Sequence, residues 1–286
     1  MTIRRRLSLA ACLALVSFSA PWTDAADQEE PEQPATAAHR WLHDYYLKQA
    51  SAYEFHYDDD KTSPLTFVDK PIFRWKQDDD WSGDVFVWTY KGRPEVVGCI
   101  LSSAPDAGNR GVAHEFHTLS MRELPRTKTV SGSWRPKAVS KMIPFDEAPI
   151  AGETSTERMA QIRMLARRFT ITMKNDGMNW ELRWLPQPIY RYSSPETGVI
   201  DGGMFAYVWT RGTDPELLLL VECRDEKPKP RWYYLPVEFT SRPLSVKLKD
   251  REVWTTSGGG GWITGESSKP YETFYAGEVM VPTDNP

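Results

Sequence analysis

The closest gathering of residues able to bind a metal or move protons is His114-Glu115-Phe116-His117, two imidazoles around a carboxylate. In a strand, alternation sends His114 and His117 to opposite faces, so only Glu115 and His117 share a side. These three residues are binding candidates, and a structural role is the simpler reading. His39 and His43 have the helical spacing of zinc-protease ligands, but Arg40, Trp41 and Leu42 lie between them and the glutamate of that motif is missing.

The aspartate triplets at 58–60 and 78–80 lack the alternating ligands and central glycine of a calcium loop and read as solvated turns. The basic residues Arg122, Arg126, Lys128, Arg135, Lys137 and Lys141 are interrupted by prolines and glycine and read as a loop surface. No nucleophile elbow, phosphate loop, dinucleotide fingerprint or paired-cysteine metal motif occurs. No catalytic residue, metal or cofactor is therefore assigned from the sequence. Carboxylates are too numerous for an acid pair to be selected without geometry.

Aromatic residues are abundant, with 12 Trp and 12 Tyr. They favour strands and fill cores, but exposed ones can stack on sugars or receive a peptide. Trp81 and Trp262, with Trp134 and Trp254, have no secure counterpart elsewhere in the chain and are the binding candidates among them. Arg74 and Arg191 lie within apolar strand patterns and need acidic partners. Glu95 and Glu216, which follow Pro94 and Pro215, are the expected ones, as two structural ion pairs.

The elements that position these residues are written twice. Residues 65–75 (LTFVDKPIFRW) return at 182–192 (LRWLPQPIYRY), so that Leu65, Pro71, Ile72 and Arg74 recur as Leu182, Pro188, Ile189 and Arg191. Further blocks follow in the same order. Residues 83–89 answer 202–210, and Pro-Glu opens an apolar strand both times. A helix is expected over 37–50, with Trp41, Tyr45 and Tyr46 on one face, and another from the capping box at Thr154 and Glu157. Strands are expected at 53–57 and 169–173, each before a polar turn. Pro71 and Pro188 point to an edge or a bulge.

The expected class is β-dominated α+β: two tandem repeats, each a helix followed by an antiparallel β-meander. They occupy 36–145 and 154–286, joined by a linker at 146–153, and the second carries a C-terminal extension. Matched aromatics such as Trp75 and Tyr192 are then scaffold, and function belongs where the copies disagree.

Arg4-Arg5-Arg6, an apolar run from Leu7 to Ala20 and small residues at 23 and 25 describe a signal peptide cleaved after Ala25. An acidic, proline-containing leader at 26–35 follows. The expected address is periplasmic or extracellular. Removing residues 1–25 takes away three Arg and one Asp, which moves the formal charge from −4 to −6 (32 basic against 38 acidic residues) and argues against nucleic acid as partner. No later segment has the length of a membrane span. Cys99 and Cys223 can form a disulfide or serve as buried thiols, and both readings stay open.

The blocks GDVFVWT, KGRPEVVG, HEFHTL, LPQPIYRY and GTDPELLL resemble an uncharacterised family of secreted proteins from planctomycete bacteria, over nearly the whole mature chain. The resemblance implies export and a shared fold, and transfers no catalytic residue, cofactor or substrate. The expected function is a non-enzymatic binding or structural module of the cell envelope, with a polysaccharide or protein as the kind of partner. The competing expectation is an exported hydrolase with a site in the cleft between the two units. A deep pocket gathering polar residues unmatched between the halves would favour the hydrolase.

Overall fold

Two sheets with long apolar strands, antiparallel except where Trp262–Ile263 runs parallel to Tyr271–Met280, dominate the computed structural model, which describes residues 37–106, 108–139, 141–259 and 261–282. The expected signal peptide and acidic leader lie outside the described residues. The first sheet runs, in spatial order, Thr66–Phe67, Ser82–Tyr90, Arg93–Asp106, Asn109–Thr118, Tyr271–Met280 and Trp262–Ile263, with Phe73–Lys76 also on Ser82–Tyr90. The second runs Arg183–Trp184, Val199–Val208, Pro215–Arg224, Arg231–Glu238 and Ile143–Pro144, with Tyr190–Ser194 also on Val199–Val208.

In both sheets one edge position is shared by two short segments. Between them lie Pro71 and Pro188, which cannot donate to a ladder. Ile72 N donates to Val85 O (2.8 Å) and Ile189 N to Met204 O (2.8 Å), so pairing resumes at once beyond each proline.

The two sheets face each other across one core. Val85, Val87, Val97 and Cys99 from the first meet Met204, Ala206, Leu218 and Leu220 from the second. The outer face of the first sheet is covered by helix α1 (Ala37–Ser51), by Tyr53 and Phe55 and by Trp134. The outer face of the second is covered by helix α2 (Ser155–Ala166) and by a four-stranded sheet that includes Phe169–Asn175 and Leu244–Leu248. With both faces covered, the central strands need apolar residues at every position, which is why 217–221 reads as an unbroken run rather than an alternation.

Helix α1 buries Leu42, Tyr46 and Ala50, so of the expected face Tyr46 lies in the core while Trp41 and Tyr45 are half-buried beside it. Helix α2 begins with a full capping box: Thr154 accepts from Glu157 N, and the Glu157 carboxylate accepts from Thr154 N (2.9 Å). Among the described residues no helix is long and apolar enough to cross a membrane.

The described residues belong to one compact unit, Thr36–Pro286, with no division at the expected linker 146–153, because the halves share the core between the sheets. The C-terminal extension also differs from expectation. Tyr271–Met280 does not extend the second half; it pairs with Asn109–Thr118 and completes the first sheet.

Candidate functional site

Alternation along Asn109–Thr118 sorts the histidine cluster by face. His114 turns outward with Val112 and Phe116, and its Nδ1 lies 2.7 Å from Tyr53 Oη in the aromatic core under α1. Burial holds its pKa down at about 4, so it is a neutral core histidine. His117 turns inward, its Nδ1 2.5 Å from Thr118 O, and burial holds it at about 4 as well. His114 is thus parted from Glu115 and His117, which share the inward face as expected. Among the described residues no group of three or more His, Cys, Asp and Glu is placed to hold a metal ion. His43 puts Nδ1 2.9 Å from the buried Asp84 Oδ1.

Glu115 has a different setting. At one end of the layer between the sheets a cleft of about 520 Å³ opens, and Glu115, Asp214 and Glu216 line it. Tyr271 Oη donates to Glu115 Oε1 (2.5 Å), and Thr273 Oγ1 lies 3.3 Å from Tyr271 Oη. Burial, opposed by this hydrogen bond and reinforced by the charge of Glu216, pushes the Glu115 pKa up to about 8. Asp214 accepts from Gln77 Nε2 (3.0 Å), and burial followed by the charges of Glu216 and Glu115 pushes it well above the usual carboxylate range.

Glu216 is raised by burial but opposed by Arg242, whose Nη1 stands 3.3 Å from its Oε2. Arg242 Nε donates to Asn175 Oδ1 (3.0 Å), and the guanidinium lies over the Trp209 ring at 5.4 Å, with Arg211 over the same indole at 5.0 Å. The cleft therefore combines a carboxyl that keeps its proton at neutral pH with one held beside a cation. A proton donor and a second carboxyl held beside a cation are parts that acid-assisted hydrolysis can use.

The opposite end of the layer is closed. Arg93, 1% exposed, places Nη1 2.9 Å from Glu95 Oε1 and Nε 3.0 Å from Glu222 Oε1. Tyr192 Oη donates to Glu222 Oε1 (2.8 Å) and Arg224 reaches its Oε2 (2.5 Å). The expected pairs Arg74 with Glu95 and Arg191 with Glu216 do not form. Arg74 Nε lies 3.6 Å from Asp84 Oδ2, and Arg191 grips Asp201 with two bonds of 2.9 and 3.1 Å, while Glu95 and Glu216 pair with Arg93 and Arg242.

Parity explains the correction. Trp75 and Tyr192 face the layer between the sheets, as Glu95 and Glu216 do, so the arginines one residue earlier face the helices. There Asp84 also holds His43 of α1, and Asp201 also holds Arg158 of α2 at 3.2 Å.

The aromatic candidates divide. Trp134 is fully buried. Trp262 is 41% exposed, stacked on Tyr275 at 5.4 Å and met edge-on by Trp81 at 5.9 Å, and both tryptophans line the cleft. Cys99 and Cys223 are free buried thiols, Cys99 in the core between the sheets and Cys223 in the core under α2.

The sequence reading missed Asp214, Tyr271 and Arg242. For Asp214 a signal was present: Arg-Pro-Glu at 93–95 becomes Asp-Pro-Glu at 214–216, a charge reversal inside a matched block. No protein-family model, curated protein or solved structure matches the chain.

Proposed function

We propose that this protein is an exported, periplasmic or extracellular hydrolase whose acid–base site is the cleft between the two sheets, within a fold built from two related helix-plus-meander halves. The supporting observation is the convergence of Glu115, Asp214 and Glu216 on one cleft, with Glu115 protonated up to about pH 8 and Glu216 beside Arg242. Glu115 is the proton donor to the leaving oxygen, and Tyr271 orients it. Glu216 carries the negative charge that supports the developing cation or activates water. Asp214, its pKa pushed up by burial and by the charges of Glu216 and Glu115, adds a further carboxyl at the same surface.

The test is release of leaving group from aryl glycosides and of reducing ends from cell-envelope polysaccharides by the protein beginning at Ala26. Glu115→Gln should lower turnover by about 10²-fold or more, the usual scale for a lost general acid. Activity of the parent should fall above about pH 8, as Glu115 loses its proton. Turnover undiminished in Glu115→Gln, or none on any substrate, would reject the proposal. A binding module without catalysis is favoured by one observation, the exposed Trp262–Tyr275 stack, and ligand retention without turnover would identify it.

A further inference from the structure

Trp262 presents a large flat ring to solvent where burial would be the favourable course for an indole. Its position is fixed from three sides: Tyr275 lies parallel to it (15° between planes), Trp81 meets it edge-on, and the indole lies about 3.9 Å from where a side chain on Gly111 would begin. The ring is held open rather than left loose.

The strand beneath it connects this platform to the acid. Trp262 pairs with Thr273 in register. Along Tyr271–Met280, alternation puts residues 271, 273 and 275 on one face. Tyr275 stacks under Trp262, Thr273 lines the cleft, and Tyr271 holds Glu115. Trp262 and Glu115 both register with Thr273, one on each side, so two inter-strand spacings, about 10 Å, separate them, which is longer than a single sugar ring.

From this continuity we infer that the ligand of the cleft is a polysaccharide chain, one sugar of which stacks on Trp262 while another reaches Glu115. The inference rests on the catalytic reading of the cleft for its direction, and its binding test needs no turnover. Pyranose rings offer a flat C–H face to an indole and hydroxyls to their surroundings. The cleft supplies matching partners in Gln77, Asn175, Thr240, Ser241 and Thr273. A peptide would be taken by an exposed strand edge, and the edge here, Trp262–Ile263, is two residues long.

Affinity electrophoresis of the Glu115→Gln protein through gels containing xylan, carboxymethylcellulose or alginate, with casein as the peptide control, tests this. At least one polysaccharide should retard the protein. Trp262→Ala should weaken that retardation tenfold or more, and Trp262→Phe, which keeps a flat ring, should restore part of it. Retardation by casein alone, by no gel, or equally with Trp262→Ala would overturn the inference. The two readings fail separately: retardation that depends on Trp262, with no turnover by the parent protein on any substrate, supports the platform and removes the hydrolase. Hydrolysis undiminished by Trp262→Ala does the reverse.

Discussion

Arg93 and Asp214 occupy corresponding places at opposite ends of the layer between the sheets, one a guanidinium and the other a carboxyl. Each precedes Pro-Glu at the start of a central strand. The glutamate carbonyls accept from Leu119 N (2.7 Å) and Phe239 N (3.0 Å), and the carboxylates meet the hydroxyls of Ser120 and Thr240. One end is plugged by a guanidinium; at the other, an acid lines an open cleft. Asp214→Arg should therefore pair with Glu216, raise Tm by a few degrees and abolish ligand binding, as expected where a site is kept at the expense of stability. Calorimetry beside the gel assay checks both, and a lowered Tm with binding retained would contradict the correspondence.

Removing the plug should be costly. Arg93→Ala leaves Glu95 buried without its cation and takes one of two cations from Glu222, so a loss of about 3–5 kcal/mol is expected. Arg74→Ala removes a pair whose arginine is 57% exposed and should cost under about 1 kcal/mol. Urea unfolding of both variants measures the contrast, and equal losses would mean that Arg93 is not the closing element.

Glu115 makes the folded state bind a proton between pH 4.5 and about 8 that the unfolded chain releases. Stability from this group thus falls as pH rises through that window, by about 1.4 kcal/mol per pH unit at most. Glu115→Gln lacks this loss. Its Tm should match the parent near pH 4 and exceed it by several degrees at pH 8.5. A Tm difference independent of pH would show that Glu115 ionises normally.

His114 and His117 act in the opposite sense. Both are held neutral down to about 4, against 6.5 in the unfolded chain, so stability is lost as pH falls from 6.5 to about 4. His117→Gln keeps a donor for the Thr118 carbonyl and removes one titrating group. Its unfolding free energy should fall less steeply over that range, by about 1.4 kcal/mol per pH unit. An unchanged slope would place the histidine proton uptake elsewhere.

Particular residues show how much was legible in the sequence. The capping box at Thr154 and Glu157 announced α2 because it is satisfied within four residues. The alternation of Tyr53, Glu54 and Phe55 was legible as well, and Tyr53 and Phe55 are buried. Yet this segment joins no ladder beyond a bridge from His56 to Pro64, since alternation reports a covered face and not a paired neighbour. The glycines at 83 and 202 read only as strand starts. Their reason is spatial: a side chain there would begin 2.8 Å from the Trp75 ring or 2.6 Å from Tyr192. The cleft stayed hidden because Glu115 and Tyr271 are 156 residues apart, a separation that no local pattern spans.

The same separation sets an order of events during synthesis. The 109–118 strand is made early and waits with one edge open until 271–280 arrives to pair with it. Closing so distant a contact is slow relative to local structure. Until then Glu115 lacks Tyr271 and Trp262 lacks the stacked ring of Tyr275, so an unfinished chain carries the carboxyl but not the site. Completion of the fold and assembly of the acid centre are one event, timed by the arrival of a single strand.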